Sequence, residues 1–419
     1  MQKSRDSGLT TLIINTLLAS LGTFLFGFEI AIIGGALICL TDECCLTTIQ
    51  QQLVVSSLLF GSIFGALGGG ALSDWIGRRR VLLSIAILFL IGTTIVTQVY
   101  QIWALMIARC ISGIACGIAA VVVPLYVAEI SPPHLRGRLV STAALMTTIG
   151  ILVAFLVATF YASSPTWRTM FWFGSVPAVT LLIGTFFIPE SPAWSMRQRT
   201  PKEKITLRYL FSPEVRTPVL IGVGINVFQQ ITGINTTTYY GPKIFQMAGC
   251  SSAKIAIFGM FVVTFIEMVM TFVGLMLVDR LGRRPLAIYG LTGMALAFVL
   301  LGSSFLICTA NVGWIALIAF ILYVASFAPG LGIVTSLLTS EIYPLAIRGR
   351  AMSIALFANW VANYFVSLTF LTLLDYLTVG GTYLFYAAIC LLAILFIWRF
   401  VPETKGKTFA EIQEFWSNK

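Results

Sequence analysis

Charge is what this sequence has least of. Charged residues fill 10% of 419 positions, against roughly 25% in a soluble domain, and mean hydropathy is +0.95, which excludes a water-soluble globular chain. Histidine is nearly missing as well. The one present, His134, sits in a short polar stretch, where a solvated turn residue is expected rather than a metal ligand or a base. There is no Gly-x4-Gly-Lys-Ser/Thr loop, so ATP is excluded as the driving force. The eight cysteines lack metal-ligand spacing. Cys44, Cys45 and Cys250 fall in expected outer loops, where a disulfide and free thiols packed as small apolar groups are both open readings. The first apolar run, residues 9–40, has no small-residue cleavage site and is read as a retained helix, not a leader. No catalytic constellation occurs, so no enzyme and no cofactor is expected.

What is present is apolar length. Hydrophobic residues make up 58% of the chain, and a helix crosses a bilayer with about 20 of them. Runs between charged or Pro/Gly breaks predict spans at 11–38, 48–73, 81–100, 102–129, 139–161 and 168–188, then 217–246, 254–278, 285–308, 312–340, 350–376 and 380–400. The expected class is an all-α membrane protein of twelve transmembrane helices in two six-helix bundles. Residues 1–188 form the first bundle and 217–400 the second, with a linker at 189–216 and a tail at 401–419.

The net charge of +10 is not collected into a nucleic-acid face. Of the 26 basic residues, 22 fall at every second inter-helix connection or the termini, leaving Arg109, Arg168, Lys243 and Lys254. That is the positive-inside pattern, which predicts a multi-pass protein with both termini in the cytoplasm.

The two halves repeat each other. Gly70-Ala-Leu-Ser-Asp74-Trp-Ile-Gly77-Arg78-Arg79 answers Gly274-Leu-Met-Leu-Val-Asp279-Arg-Leu-Gly282-Arg283-Arg284. Glu129 precedes Arg136-Gly137-Arg138 by seven residues, and Glu341 precedes Arg348-Gly349-Arg350 by the same seven. Pro189-Glu190-Ser191-Pro192 answers Pro402-Glu403-Thr404-Lys405. Three pairs in the same order, offset by 204 to 213 residues, indicate internal duplication. Parallel repeats of six spans predict a solute site near the midplane between the halves, with rocking about it.

These paired loops, together with Gln229-Gln230-Ile-Thr-Gly233-Ile-Asn235 in the seventh span, resemble the sugar porter family of the major facilitator superfamily. The resemblance covers almost the whole chain and is closest to bacterial proton-linked symporters. It implies the major facilitator fold, alternating access and a bacterial inner-membrane (plasma-membrane) location. The partners implied are a small polar solute, protons and the bilayer, with the proton gradient as energy source, no nucleic acid and a monomeric state. The 189–216 linker is shorter than the family's cytoplasmic helical domain, which is expected to be abbreviated here.

A charge inside a bilayer costs about 2.5–3.5 kcal/mol on insertion scales, so each is a functional candidate. Glu29 and Arg109 lie mid-span in the first and fourth runs. The family's proton-linked members hold Asp and Arg there, which implies proton coupling by this pair. A carboxylate near a guanidinium takes or gives up a proton according to their separation; a purely structural buried pair is the alternative. The resemblance places the solute against Phe26, Gln229, Gln230, Asn235, Asn359 and Asn363, whose amides suit hydroxyls although buried amides also tie helices together. Glu267 stands where the family has Asn, Ser336 where it has Trp, and Ala144 where it has Gln. Glu267 could protonate, face a cationic solute or donate to a polyol, or merely pair with backbone. The inner gate implied is Asp74, Arg78, Glu129 and Arg136 with Asp279, Arg283, Glu341 and Arg348, and Tyr239 and Tyr240 suggest an outer gate at a broken helix. Three functions follow as expectations: proton symport of a monosaccharide or polyol, transport of a cationic or zwitterionic metabolite, or a solute sensor. The short tail after Pro402 argues against the sensor.

Overall fold

The computed structural model describes residues 2–132, 134–162, 167–197, 215–307, 311–343, 347–406 and 411. Contacts divide the chain into two units, 1–202 and 203–419. Helix dominates both, because a backbone polar group in hydrocarbon must find its partner within its own segment.

The first unit holds α1 (Gln2–Cys44), α2 (Thr48–Ile76), α3 (Arg78–Gln98), α4 (Ile102–Ile130), α5 (Arg136–Tyr161), α6 (Trp167–Trp172), α7 (Ser175–Gly184) and α8 (Pro192–Arg197). The start of α2 is set by a capping box: Thr47 accepts from the Gln50 amide and Gln50 accepts from the Thr47 amide. Helix approach here rests on small residues, as lipid supplies no hydrophobic drive between helices. A Cβ placed on Gly61, Gly65, Gly113 or Gly117 would lie 2.0–2.2 Å from a carbonyl oxygen of the facing helix, which welds α2 to α4. A Cβ on Gly27 would lie 2.0 Å from the Thr147 carbonyl oxygen, so α1 is seated on α5 with its Glu29 turn fixed in register. The predicted sixth span is broken at Phe173–Gly174 into α6 and α7.

The second unit holds α9 (Arg216–Ile231), α10 (Ile234–Met247), α11 (Ala253–Leu281), α12 (Arg283–Leu306), α13 (Val312–Phe327), α14 (Ile333–Glu341) and α15 (Arg348–Phe400). Span seven breaks between α9 and α10 at Gly233, whose φ of 90° an L side chain rarely adopts. Span ten opens into a wide turn at Ala328–Gly332, with Gly330 at φ −77°, ψ −111°. Gly274 and Gly290 make room for that turn, since a Cβ on either would lie under 3 Å from it or from the carbonyl of Ser326. The 53-residue α15 covers predicted spans eleven and twelve, which meet at Thr378 with φ 63°. Ten helical stretches of the described residues are long and apolar enough to cross a membrane. Dividing α15 at Thr378 and pairing α6 with α7 accounts for the other two spans.

Most of the expected linker, residues 198–214, lies outside the described residues. The described cysteines, Cys44, Cys45 and Cys250 among them, are free thiols.

Candidate functional site

Glu29 and Arg109 are brought together at the centre of the first unit. Arg109 Nη1 donates to Glu29 Oε2 at 3.0 Å and to the Glu29 carbonyl, also at 3.0 Å. Both side chains are 1% exposed. The guanidinium also lies over the Phe171 ring, 5.5 Å from its centroid, a cation–π contact that adds to the pair. A single charge here would be stranded, so each group stabilises the other's burial. Phe26, three residues before Glu29 on α1, is half-buried.

In the second unit the break at Gly233 turns the end of α9 and the start of α10 toward α15. Gln230 donates to Asn359 Oδ1 at 3.0 Å, and Asn235 donates to Gln230 Oε1 at 2.5 Å. Asn359 in turn donates to Gln229 Oε1 at 2.8 Å and to the Asn226 carbonyl at 3.1 Å. Gln229 closes the group by donating to the Leu331 carbonyl in the wide turn of span ten, at 3.2 Å. Asn363 donates to the Tyr239 hydroxyl at 3.4 Å, one turn further along α15, while its own Oδ1 is buried without a partner among the described residues. Tyr240 donates to the Ser367 carbonyl at 2.9 Å and stacks on Phe370. A neutral lattice of amides that bond one another can exchange those bonds for solute hydroxyls at small net cost.

The three departures from the family pattern are placed differently. Ser336 is exposed and donates to Ile333 in its own helix. Ala144 is also exposed. Glu267 lies at the middle of α11, on the face that carries buried Met260, Val263, Thr264 and Gly274. Its carboxylate forms no hydrogen bond or ion pair among the described residues; only its main-chain carbonyl is engaged, by Thr271.

The paired loops build one network twice. In the first unit Arg78, 0% exposed, donates to both Glu129 oxygens at 2.9 Å, to the Ser73 carbonyl at 2.9 Å, and pairs with Asp74 at 3.1 Å. In the second, Arg283 donates to Glu341 at 3.0 Å and pairs with Asp279 at 3.3 Å. The Ser191 hydroxyl completes Glu129, and the Thr404 hydroxyl completes Glu341. Glu190 accepts from the amides of Arg78 and Arg79 at the start of α3; Glu403 accepts from those of Arg283 and Arg284 at the start of α12. Each is a carboxylate on otherwise orphaned helix-start amides, where the helix dipole favours it. Reading the sequence did not single out Glu190 or Glu403 as contacts, although the third matched motif pair was the signal. Arg136, grouped with Glu129 on sequence, is instead exposed, and its side chain enters no hydrogen bond or ion pair among the described residues. Arg348 donates to the Tyr343 carbonyl at 3.4 Å. The glutamates are reached instead by buried Arg78 and half-buried Arg283, each at the start of a helix that precedes the one bearing its glutamate.

Two bundles of membrane spans, one with a buried ion pair and one with an amide cluster, each closed at one end by the same charged network, define a membrane solute transporter. The family model described as "Sugar (and other) transporter" matches residues 15–205 and 195–416. The galactose-proton symporter of Escherichia coli K12 is 35% identical over 428 residues, 94% of this chain and 92% of its own. The major myo-inositol transporter of Bacillus subtilis is 34% identical, over 99% of this chain and 95% of its own. Among solved structures, the inward-open xylose transporter from E. coli superposes with a TM-score of 0.83 at 33% identity, covering 96% of this chain and 99% of that one. The chain belongs to the sugar porter family of the major facilitator superfamily. It is a multi-pass membrane transporter and not an enzyme.

Proposed function

We propose that this chain is a secondary active transporter that couples proton entry to uptake of a monosaccharide or polyol by alternating access. The observation that carries the reading is the buried Glu29–Arg109 pair, a titratable group held mid-membrane against a fixed cation. The names of its relatives, galactose-proton symporter, D-xylose-proton symporter and myo-inositol transporter, support the same solute class. Glu29 carries the proton and Arg109 sets its occupancy. Gln229, Gln230, Asn235, Asn359 and Asn363, with Phe26, Glu267 and Ser336, bind the solute. The networks around Arg78 and Arg283 form the inner gate and Tyr239 with Tyr240 the outer one. In this reading residues 1–188 and 217–400 are the two bundles, 189–216 the linker and 401–419 a cytoplasmic tail. The protein acts as a monomer in a bacterial inner membrane with both termini cytoplasmic, and the proton gradient is its only energy source.

The test is uptake into proteoliposomes under an imposed pH gradient, with a panel of labelled hexoses, pentoses, cyclitols and amino compounds. Concentrative uptake of a neutral polyhydroxylated solute, abolished by a protonophore, is expected; uptake indifferent to the gradient would refute the coupling. A second reading, a cationic or zwitterionic solute, is favoured by one observation, the Glu267 carboxylate, which has no hydrogen-bond or ion-pair partner among the described residues. It predicts that the amino compounds alone are accumulated.

A further inference from the structure

One cavity of the first unit lies apart from the ion pair and beside the gate network, with which it shares Glu190. It has a volume of about 370 Å³ and lies where α2 and α7 end and α3 begins, with Arg79, Arg80, Ile76, Phe186, Trp194 and Glu190 in its wall, two guanidinium groups against one carboxylate. We propose that it binds the phosphate headgroup of an anionic phospholipid, held by Arg79 and Arg80.

Three observations point there. First, the attraction comes from side chains and not from a helix end, because Glu190 already occupies the amides that open α3. Arg79 is pinned by donating to two main-chain carbonyls, those of Thr185 at 2.7 Å and Phe186 at 3.1 Å. Neutral acceptors orient a guanidinium without cancelling its charge. Second, Arg80 is exposed and its side chain forms no hydrogen bond or ion pair among the described residues. The duplicated half shows that it is dispensable to the gate: Arg283 and Arg284 answer Arg78 and Arg79, but Pro285 stands in the place of Arg80. A third arginine is thus an addition peculiar to the first half. Third, the surroundings suit the membrane interface. Phe186 in the cavity wall is 65% exposed, and Trp75 and Phe187, the sequence neighbours of wall residues Ile76 and Phe186, are 78% and 76% exposed; aromatic rings collect at headgroup level. In the orientation proposed above this is the cytoplasmic leaflet, whose anionic lipids are drawn to basic pockets between spans.

The experiment titrates the full chain in detergent with phosphatidylglycerol, phosphatidylcholine or inorganic phosphate, and reads bound lipid by native mass spectrometry together with thermal stability. Phosphatidylglycerol is expected to bind and stabilise selectively. Arg80→Gln is expected to weaken it roughly fivefold, the factor that about 1 kcal/mol per surface arginine represents, and Arg80→Lys to restore most of it. Solute KM in phosphatidylcholine liposomes is expected to be the same for Arg80→Gln and the parent, which separates this site from the transport reading. Equal phosphatidylglycerol binding by Arg80→Gln, or equal stabilisation by inorganic phosphate, would overturn the proposal.

Discussion

Replacing Glu29 by Gln tests the coupling directly, and its outcome can be worked out beforehand. Gln keeps an oxygen at the place where Arg109 donates at 3.0 Å, and Arg109 retains its second bond, to the residue-29 carbonyl. The fold should therefore survive, with a cost near the 1 kcal/mol of one altered hydrogen bond and well short of the 3–5 kcal/mol expected when a buried charge loses its partner altogether. The proton carrier is gone, however. With one proton per solute, a gradient of one pH unit supplies about 1.4 kcal/mol, a tenfold accumulation at zero membrane potential. Wild type should reach that ratio in proteoliposomes clamped with valinomycin and potassium. Glu29→Gln should equilibrate solute to a ratio of one while still exchanging it down its own gradient. If Glu29→Gln still concentrated solute tenfold, Glu29 would not be the coupling group. Arg109→Gln is the harsher change, because it leaves the carboxylate buried without its cation.

Other parts of the structure give further expectations. Arg78→Ala strands Glu129, which is 8% exposed, and should cost about 3–5 kcal/mol; Arg283→Ala acts on a pair 15% and 23% exposed and should cost less, about 1–2 kcal/mol. Thermal unfolding in detergent compares them, and equal losses would contradict the burial argument. Gly77→Ala combines a φ of 98° with a Cβ 2.5 Å from Glu190 Oε2, and should destabilise by at least the 1–2 kcal/mol of a left-handed L residue. Gly282→Ala, whose nearest oxygen is at 2.9 Å, should be the milder of the two in the same assay. Asn359→Ala removes the partner of Gln229 and Gln230 together, so solute affinity should fall between fivefold and a hundredfold, read as KM or by equilibrium binding; an unchanged KM would separate the amide cluster from the solute.

Span number, duplication and the charged residues at issue were legible because each leaves a local mark. Apolar length gives spans, a repeated spacing gives duplication, and an acid or base inside an apolar run stands out against its surroundings. What was not legible depends on which side chains meet. Glu129 is followed seven residues later by Arg136, yet its partner is Arg78, 51 positions away, because the turn at Gly77 brings the start of α3 under the end of α4. Glu190 and Glu403 stand out in the sequence only as members of a repeated motif, since capping another helix's amides requires knowing where that helix begins. The break in span ten was marked only by Pro329 and Gly330 inside an apolar run, whereas the break in span seven falls in the polar stretch from Gln229 to Tyr240, where a broken helix was expected.

The duplicated halves have diverged in charge, and that divergence bears on Glu267. The first unit has its mid-membrane acid matched by a base, Glu29 with Arg109; the second has a neutral amide cluster and, on α11, an acid with no described partner. If both acids carried a proton, a gradient of one pH unit would drive solute a hundredfold, the square of the single-proton ratio, and Glu267→Gln would return it to tenfold. If Glu267 instead grips the solute, the ratio stays at tenfold in wild type and variant alike, while KM rises in the variant. Accumulation is a thermodynamic ratio fixed by stoichiometry, and KM responds to contacts, so the two roles leave different signatures in one preparation. A hundredfold wild-type ratio that Glu267→Gln does not lower would rule out the proton role for this residue and move the second proton elsewhere in the chain, leaving KM alone to decide whether it contacts the solute.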